Sequence, residues 1–293
     1  MSGAADWSGV LGGIGDEAAG DLAGQIAVQL ELGWRHLELR TVAGVALADL
    51  TAPGRAELVD AVATAGLSVP CLDSRIGGWA RSVTTPFDDD LHELDVLAGL
   101  AHALGTRYVR VMSYPNDGLS EPDWRAEVLR RFGVLARRAE RLGVVLLIEN
   151  CSGWAGTSAE RVAEILDVAA SPALRLLFDI GNPVAHGYDG LAYLGELVRW
   201  VEHVHVKDAL APGGGADTVF TAPGRGEARL VECIQMLYAK GYGGVLAVEP
   251  HVAVQPHLGR RATPAEVRAS YVDYCGELVA LLAGVSVVAG GGR

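Results

Sequence analysis

Four apolar runs in the second half of the sequence end on, or carry, residues that do chemistry. LLIE closes on Glu149, LLFD on Asp179 and LAVE on Glu249, while VEHVHVKD carries His203, His205 and Lys207 at alternate positions. Alternation by two puts those three side chains on one face of a strand. A carboxylate that terminates an apolar run is costly to bury unless something neutralises it. Three brought to one place repel one another, and a bound cation is the simplest relief. Three carboxylates and one imidazole make a hard, oxygen-rich donor set that suits Mn²⁺ or Mg²⁺, with Co²⁺ or Zn²⁺ as further candidates. One divalent ion held by Glu149, Asp179, Glu249 and an imidazole of the VEHVHVKD run is therefore expected, with positions left over for substrate oxygens. Taken singly, each acid reads as readily as a helix cap or a loop residue; the case rests on four in register.

For these residues to meet, the elements carrying them must share one end of a sheet. Short apolar runs alternate with longer amphipathic stretches along the whole chain. The strand candidates are residues 9–12, 35–40, 68–73, 108–112, 144–149, 175–179, 201–207 and 244–249. Helices are expected over 18–32, 55–65, 88–104, 126–142, 159–169 and 230–240, and a last one starts at Pro264 and runs to about residue 282. Several helices end on a glycine before the next strand, as in Leu104-Gly105 and Leu142-Gly143, a common helix stop. Such alternation means a parallel sheet, and eight unbroken repeats favour a closed barrel over an open doubly wound sheet. The expected fold is an α/β (β/α)8 TIM barrel forming a single domain over residues 1–293. Its core spans about residues 8–282, and 284–293 form a flexible tail. In such a barrel the C-terminal strand ends surround one pocket. Gly12-Gly13-Ile14-Gly15 misses the G-x-G-x-x-G spacing of a dinucleotide fold and runs into acidic Asp16 and Glu17. Residues 211–227, APGGGADTVFTAPGRGE, form a loop long enough to be functional.

Composition narrows the partners. Hydrophobic residues make up 50% of the 293 and charged ones 20%, enough to fill a large core and too apolar for a disordered chain. The net charge of -12 and the lack of a basic stripe argue against nucleic acid. No 18-residue apolar run is present, which argues against a membrane partner, and the N-terminus has neither a basic nor a following apolar signal region. Four cysteines, Cys71, Cys151, Cys233 and Cys275, lie far apart without a C-x-x-C pair and read as reduced core residues. A cytoplasmic protein is expected. Its partner is a small polyhydroxylated molecule, and a second copy of the chain in a homodimer is a further candidate.

The chain resembles the xylose-isomerase-like TIM barrels of the sugar phosphate isomerase/epimerase group from about residue 8 to 282. The resemblance rests on GGIGDEA, LGWRHLELR, LGTRYVRV, VVLLIEN, LLFDIGNPVAHG, VEHVHVKD, GRGE and GYGGVLAVEPH. It implies that Glu149, Asp179, His205 and Glu249 bind the metal and that Glu149 and Glu249 also move a proton. The implied activity is a metal-dependent sugar isomerase or epimerase of carbohydrate metabolism, working through a metal-stabilised enediolate. Related members that expel a hydroxyl from that intermediate imply the alternative, a dehydratase of an inosose- or dehydroshikimate-like substrate. A non-catalytic sugar-binding barrel is a third reading. Ketose 3-epimerases carry a histidine where this chain has Asn182 and an arginine where it has Ala211, which points away from free ketoses. The resemblance extends to endonuclease IV, but Asn182 and the acidic charge argue against its multi-zinc site and DNA substrate.

Further residues are candidates for touching substrate. Asn182 and His186 follow Asp179 on the loop over the pocket, and Lys207 shares a face with His205. Glu38 and Arg40 share a face at the end of strand two, where they either contact substrate or pair with each other; Arg110 in strand four is equally open. His251 and Trp154, just past Glu249 and Glu149, either wall the pocket or sit in exposed loops. Arg225 either reaches an anionic substrate or serves as a turn residue. His203 is expected one layer below as a core residue, and Cys151 as packing.

Overall fold

A computed structural model describes residues 7, 9–213 and 217–285. Residues 286–293 of the tail expected at 284–293 lie outside the described residues, as do 214–216 of the long loop and most of the first eight positions.

Eight parallel strands form the barrel, with helices alternating around them. In chain order they are Leu11–Ile14, His36–Glu38, Leu72–Asp73, Tyr108–Ser113, Val145–Gly153, Leu174–Asp179, Val201–Val206 and Leu246–Val248. Each pairs with its neighbours in chain order except across the seam between the second and third, and the first strand pairs with the eighth. Between the second and third strands the ladder thins to two isolated parallel bridges, His36 with Ser68 and Leu39 with Leu72. That seam explains why the third strand, expected from residue 68, pairs as a strand only at Leu72 and Asp73. The first strand also starts later than expected, because the backbone at Gly9 and Val10 is still turning.

Helix boundaries follow their capping chemistry. The stretch from 18 yields a helix only over Leu22–Glu31, because Asp21 accepts the Gly24 N–H and sets the start. Thr51 and Ser120 do the same ahead of Ala52–Thr64 and Glu121–Leu142, starting both earlier than hydrophobic periodicity suggests. Phe87–Leu104 and Glu121–Leu142 stop at Gly105 and Gly143, both left-handed, at φ 73° and 69°. Two short helices between the sixth and seventh strands, Asn182–His186 and Gly190–Leu197, carry no strong periodic signal. Ala159–Ala169, Leu230–Ala239 and Pro264–Ala283 lie close to expectation.

The strands bury both faces, as a parallel barrel requires. Leu146, Ile148, Leu174, Leu176, Val204, Leu246 and Val248 belong to the main apolar core between strands and helices, while Cys71, Leu147 and Leu177 form a small plug inside the barrel. Above that plug the interior turns polar. No helix among the described residues is long and apolar enough to cross a membrane.

Candidate metal and active site

The fifth to eighth strands deliver their terminal side chains to one point. Donor atoms of Glu149, Asp179, His205 and Glu249 all lie within 4.8 Å of one another, and all four residues are buried. Each is fixed from behind. The Asp179 N–H donates to Asn150 Oδ1 at 2.6 Å and Asn150 Nδ2 donates to the Asp179 carbonyl at 2.9 Å, tying the ends of two neighbouring strands together. Asp179 Oδ1 then accepts the N–H groups of Gly181 and Asn182. Its other oxygen faces the cluster, with the Lys207 ammonium 3.0 Å away.

His205 is oriented by Glu38. Nε2 donates to Glu38 Oε1 at 2.9 Å, and the second Glu38 oxygen takes His203 Nε2 at 2.7 Å. With Nε2–H committed, Nδ1 is left for the carboxylates: 3.5 Å from Glu249 and 4.0 Å from Glu149 and Asp179, without a hydrogen bond. The two imidazoles hold the Glu38 carboxyl far below the usual range, outweighing the opposing effect of burial. Glu38 therefore stands behind the four converging side chains and does not line the cavity above them. His203 occupies the expected lower layer, where it lines a separate cavity at the N-terminal end of the barrel.

An arginine holds each glutamate. Arg110 Nη1 donates to Glu149 Oε2 at 2.9 Å, and Arg40 Nη1 donates to Glu249 Oε1 at 2.8 Å. Asn182 Nδ2 adds 3.0 Å to Glu149 Oε1. Lys207 Nζ lies 2.6 Å from Glu249 Oε2 and 3.0 Å from Asp179 Oδ2. Its side chain reaches them past Gly181, where any Cβ would stand 2.7 Å from Lys207 Cγ. Burial pushes the Glu249 carboxyl up, but Lys207, His251 and His205 outweigh it and hold the group well below its ordinary value. At Asp179 burial dominates, and the carboxyl is pushed up to about 6 against the pull of Lys207.

Three buried acids at the mouth were missed as site residues. Asp16 and Glu17 take the rest of Arg40, at 2.8 and 3.1 Å. Glu17 also accepts the His251 N–H at 2.8 Å and His251 Nδ1 at 2.7 Å. The Asp73 carboxylate, at the end of the third strand, lies 3.2 Å from Arg110 and accepts no hydrogen bond; burial pushes it up to about 8. Acid at a strand end was the available signal for Asp73, and GDEA directly after the first strand was the signal for the other two.

Above the donors opens a cavity of about 720 Å³. Arg110, Asn182, His186, Lys207 and His251 all line it together with Glu149 and Glu249. Burial, reinforced by Lys207, lowers the His186 imidazole. Trp154 and Arg225 lie elsewhere. Trp154 is buried, donates to Glu121 Oε1 at 2.9 Å and lies under Arg161. Arg225 is exposed and pairs with Glu277 of the last helix at 3.1 Å. The GRGE segment instead closes the long loop. Asp208 accepts four backbone N–H groups, those of Ala209, Gly224, Gly226 and Ala228, at 2.8 to 3.1 Å. Cys151 borders the cavity, but burial pushes its thiol up to about 12, which leaves no useful thiolate.

The donor set fits a divalent cation on two grounds. Three carboxylates and an imidazole converge from four adjacent strands. His205 Nδ1 is buried without a hydrogen bond, an expensive arrangement unless something else satisfies it, and it faces Asp179 Oδ2, whose one close partner is the Lys207 ammonium.

Comparison with known proteins agrees with this architecture. The family model described as "Xylose isomerase-like TIM barrel" matches residues 26–271. Among curated proteins, the chain is 27% identical over 194 residues to the rhizopine catabolism protein MocC of Rhizobium meliloti, covering 58% of this chain and 59% of that protein. It is 31% identical over 114 residues to 2-epi-5-epi-valiolone 7-phosphate 2-epimerase of an Actinoplanes species, covering 38% and 40%. With inosose dehydratase of Clostridium beijerinckii it shares 25% over 145 residues, covering 44% and 48%. The chain thus spans about half the length of the curated relatives it matches. Among solved structures, the IOLI protein "with a binding zinc atom" superposes at TM-score 0.75, with 15% identity, over 95% of this chain and 100% of that one. A xylose isomerase-like TIM barrel protein from Mycobacterium smegmatis "in Complex with Magnesium" superposes at 0.68, with 16% identity, over 95% and 100%. At these identities the structural likenesses establish the fold.

Proposed function

The chain belongs to the xylose isomerase-like TIM barrel family, and from that premise we propose that it is a divalent-metal-dependent isomerase or epimerase of a sugar or related polyhydroxy carbonyl compound. One observation carries the reading: buried Glu149, Asp179, His205 and Glu249 converge beneath a cavity, with His205 Nδ1 facing the three carboxylates without a hydrogen bond. The relatives support it. One matched stretch lies in a protein named as an epimerase, and two structural neighbours carry zinc or magnesium in their titles.

Asp179, His205, Glu149 and Glu249 would hold the ion. A divalent ion bound there, Mn²⁺ or Mg²⁺ by the oxygen-rich donor set, supplies Lewis-acid polarisation and a template for the substrate's carbonyl and neighbouring hydroxyl oxygens. The chain's own groups do the rest. Arg110 and Asn182 fix the plane of Glu149, and Arg40 fixes that of Glu249, so both carboxylates meet substrate in set orientations. One glutamate takes the proton from the carbon beside the carbonyl and the other returns one, the paired work of general acid–base catalysis. Lys207 places positive charge where negative charge develops on the substrate. Asn182, His186 and His251 at the cavity wall hydrogen-bond its hydroxyls.

The match to inosose dehydratase favours a second reading, a lyase. It shares the proton removal; a hydroxyl on the next carbon then leaves, protonated by a group such as Lys207 or His251. A screen of ketoses, keto-glycosides and inososes with Mn²⁺ in D₂O separates the two. Deuterium incorporated into an isomeric product supports the isomerase or epimerase, and loss of water from the substrate supports the lyase. Neither product nor exchange across the screen, with the ion bound, would overturn both.

A further inference from the structure

The cavity above the four donors has a polar floor and an apolar rim. Trp79, Val219 and Leu258 all line it, yet they are 44%, 56% and 53% exposed. They come from three separate segments: the loop after the third strand, a ribbon strand Val219–Thr221 after the seventh, and a turn Pro256–Leu258 after the eighth. Among the described residues Trp79 is the one tryptophan in the group of exposed large apolar side chains. Its loop is built, not slack. Gly77 takes φ 67°, and a Cβ there would stand 2.0 Å from the Met112 carbonyl oxygen. The N–H groups of Met112 and Tyr114 donate to the Ile76 and Gly77 carbonyls, both at 2.9 Å, fastening the loop to the fourth strand. The indole is therefore held at the entrance by a rigid support.

A bare polyol ring offers such a rim only a C–H face for Trp79, because its hydroxyls match the floor, and it leaves Val219 and Leu258 without a partner. Large apolar side chains converging on a cavity entrance mark a place that a ligand covers. Phosphate recognition is poorly provided for. Two lining cations, Arg110 and Lys207, are already ion-paired with carboxylates of the floor, which leaves Arg260 near the rim. A volume of about 720 Å³ also falls in the range of pockets that enclose drug-sized molecules. We infer that the substrate is a keto sugar or keto cyclitol carrying an apolar substituent, a glycoside-type molecule whose polyhydroxylated, carbonyl-bearing ring meets the floor. Its apolar part packs on Trp79, Val219 and Leu258. This deepens the function proposed above and rests on it for the ring's place in the cavity.

The test is calorimetric titration of the full-length, Mn²⁺-loaded protein with phenyl β-D-glucoside and phenyl β-D-galactoside, each against its free sugar and that sugar's 6-phosphate. At least one phenyl glycoside should bind about tenfold more tightly than its free sugar, the scale of one added aromatic contact. Trp79→Ala and Leu258→Ala, checked for folding by thermal melting, should shrink that ratio to about twofold or less, and Arg260→Ala should leave it intact. Equal binding of glycoside and free sugar would overturn the inference. So would failure of both phenyl glycosides to bind, an undiminished ratio in Trp79→Ala, or tightest binding by a sugar phosphate that Arg260→Ala abolishes. The readout is a ratio of affinities, so it stands apart from whether Glu149 and Glu249 move a proton, which the D₂O screen addresses.

Discussion

Glu38 Oε1 and His205 Nε2, from the second and seventh strands, lie 2.9 Å apart in the buried interior of the barrel. Through that contact a residue with no place in the cavity decides which imidazole nitrogen faces the donor cluster. A carboxylate behind a metal-binding histidine fixes its tautomer and ring plane, and losing such a partner costs roughly 10- to 100-fold in metal affinity. Glu38→Gln should weaken Mn²⁺ binding by about that factor, measured by calorimetry, with all four donors still present. Unchanged affinity would mean that packing alone orients His205.

Asp208 makes a structural prediction. Its carboxylate accepts four backbone N–H groups and closes the loop that carries GRGE. Asp208→Ala strands those donors, and buried unsatisfied donors cost about 1–3 kcal/mol each where water cannot reach them. The melting temperature should fall, and amide exchange should speed up at Gly224 to Ala228 while the fifth and sixth strands stay protected. Substitution at Arg225, exposed and paired with Glu277, should change neither.

Asp73 predicts a pH dependence. Burial raises its carboxyl from the ordinary acidic range to about 8 in the folded protein. Between those values the folded state binds a proton that the unfolded chain releases, so stability falls as pH rises. Asp73→Asn removes that proton uptake. The stability difference between variant and wild type should grow in the variant's favour from about pH 4 to pH 8, by at most about 1.4 kcal/mol per pH unit. Denaturant titrations at several pH values measure it. A wild-type advantage that grows with pH would show that the ion pair with Arg110 dominates instead.

Much of this arrangement is legible in the sequence because the barrel turns a local pattern into a shared location. Glu149, Asp179 and Glu249 each end or follow an apolar run, and strand ends in this fold meet at one mouth. Period-two alternation likewise set His203, His205 and Lys207 on one face. What escaped depends on contacts distant in sequence. Nothing near Glu38 announces that two histidines about 165 residues away will take both its oxygens. Asp16 and Glu17 appeared as a reason to discard a nucleotide fold, when their position after the first strand put them at the same mouth. Trp154 follows a promising strand, but the fifth strand runs on to Gly153 and carries it past the cavity to Glu121. Of the two readings of Arg225, the turn residue is the one the structure shows, because the flanking glycines bring their N–H groups to Asp208 and the guanidinium pairs with Glu277.

The central claim, that Glu149, Asp179, His205 and Glu249 hold one divalent ion, is tested most directly by metal analysis of the purified protein after incubation with Mn²⁺ and desalting. Four converging donors predict about one ion per folded chain, removed by a chelator, and near-complete loss in Asp179→Ala. A thermal melt confirms that the variant is folded. A wild-type protein that retains no ion, or an Asp179→Ala protein that retains its full complement, would contradict the account.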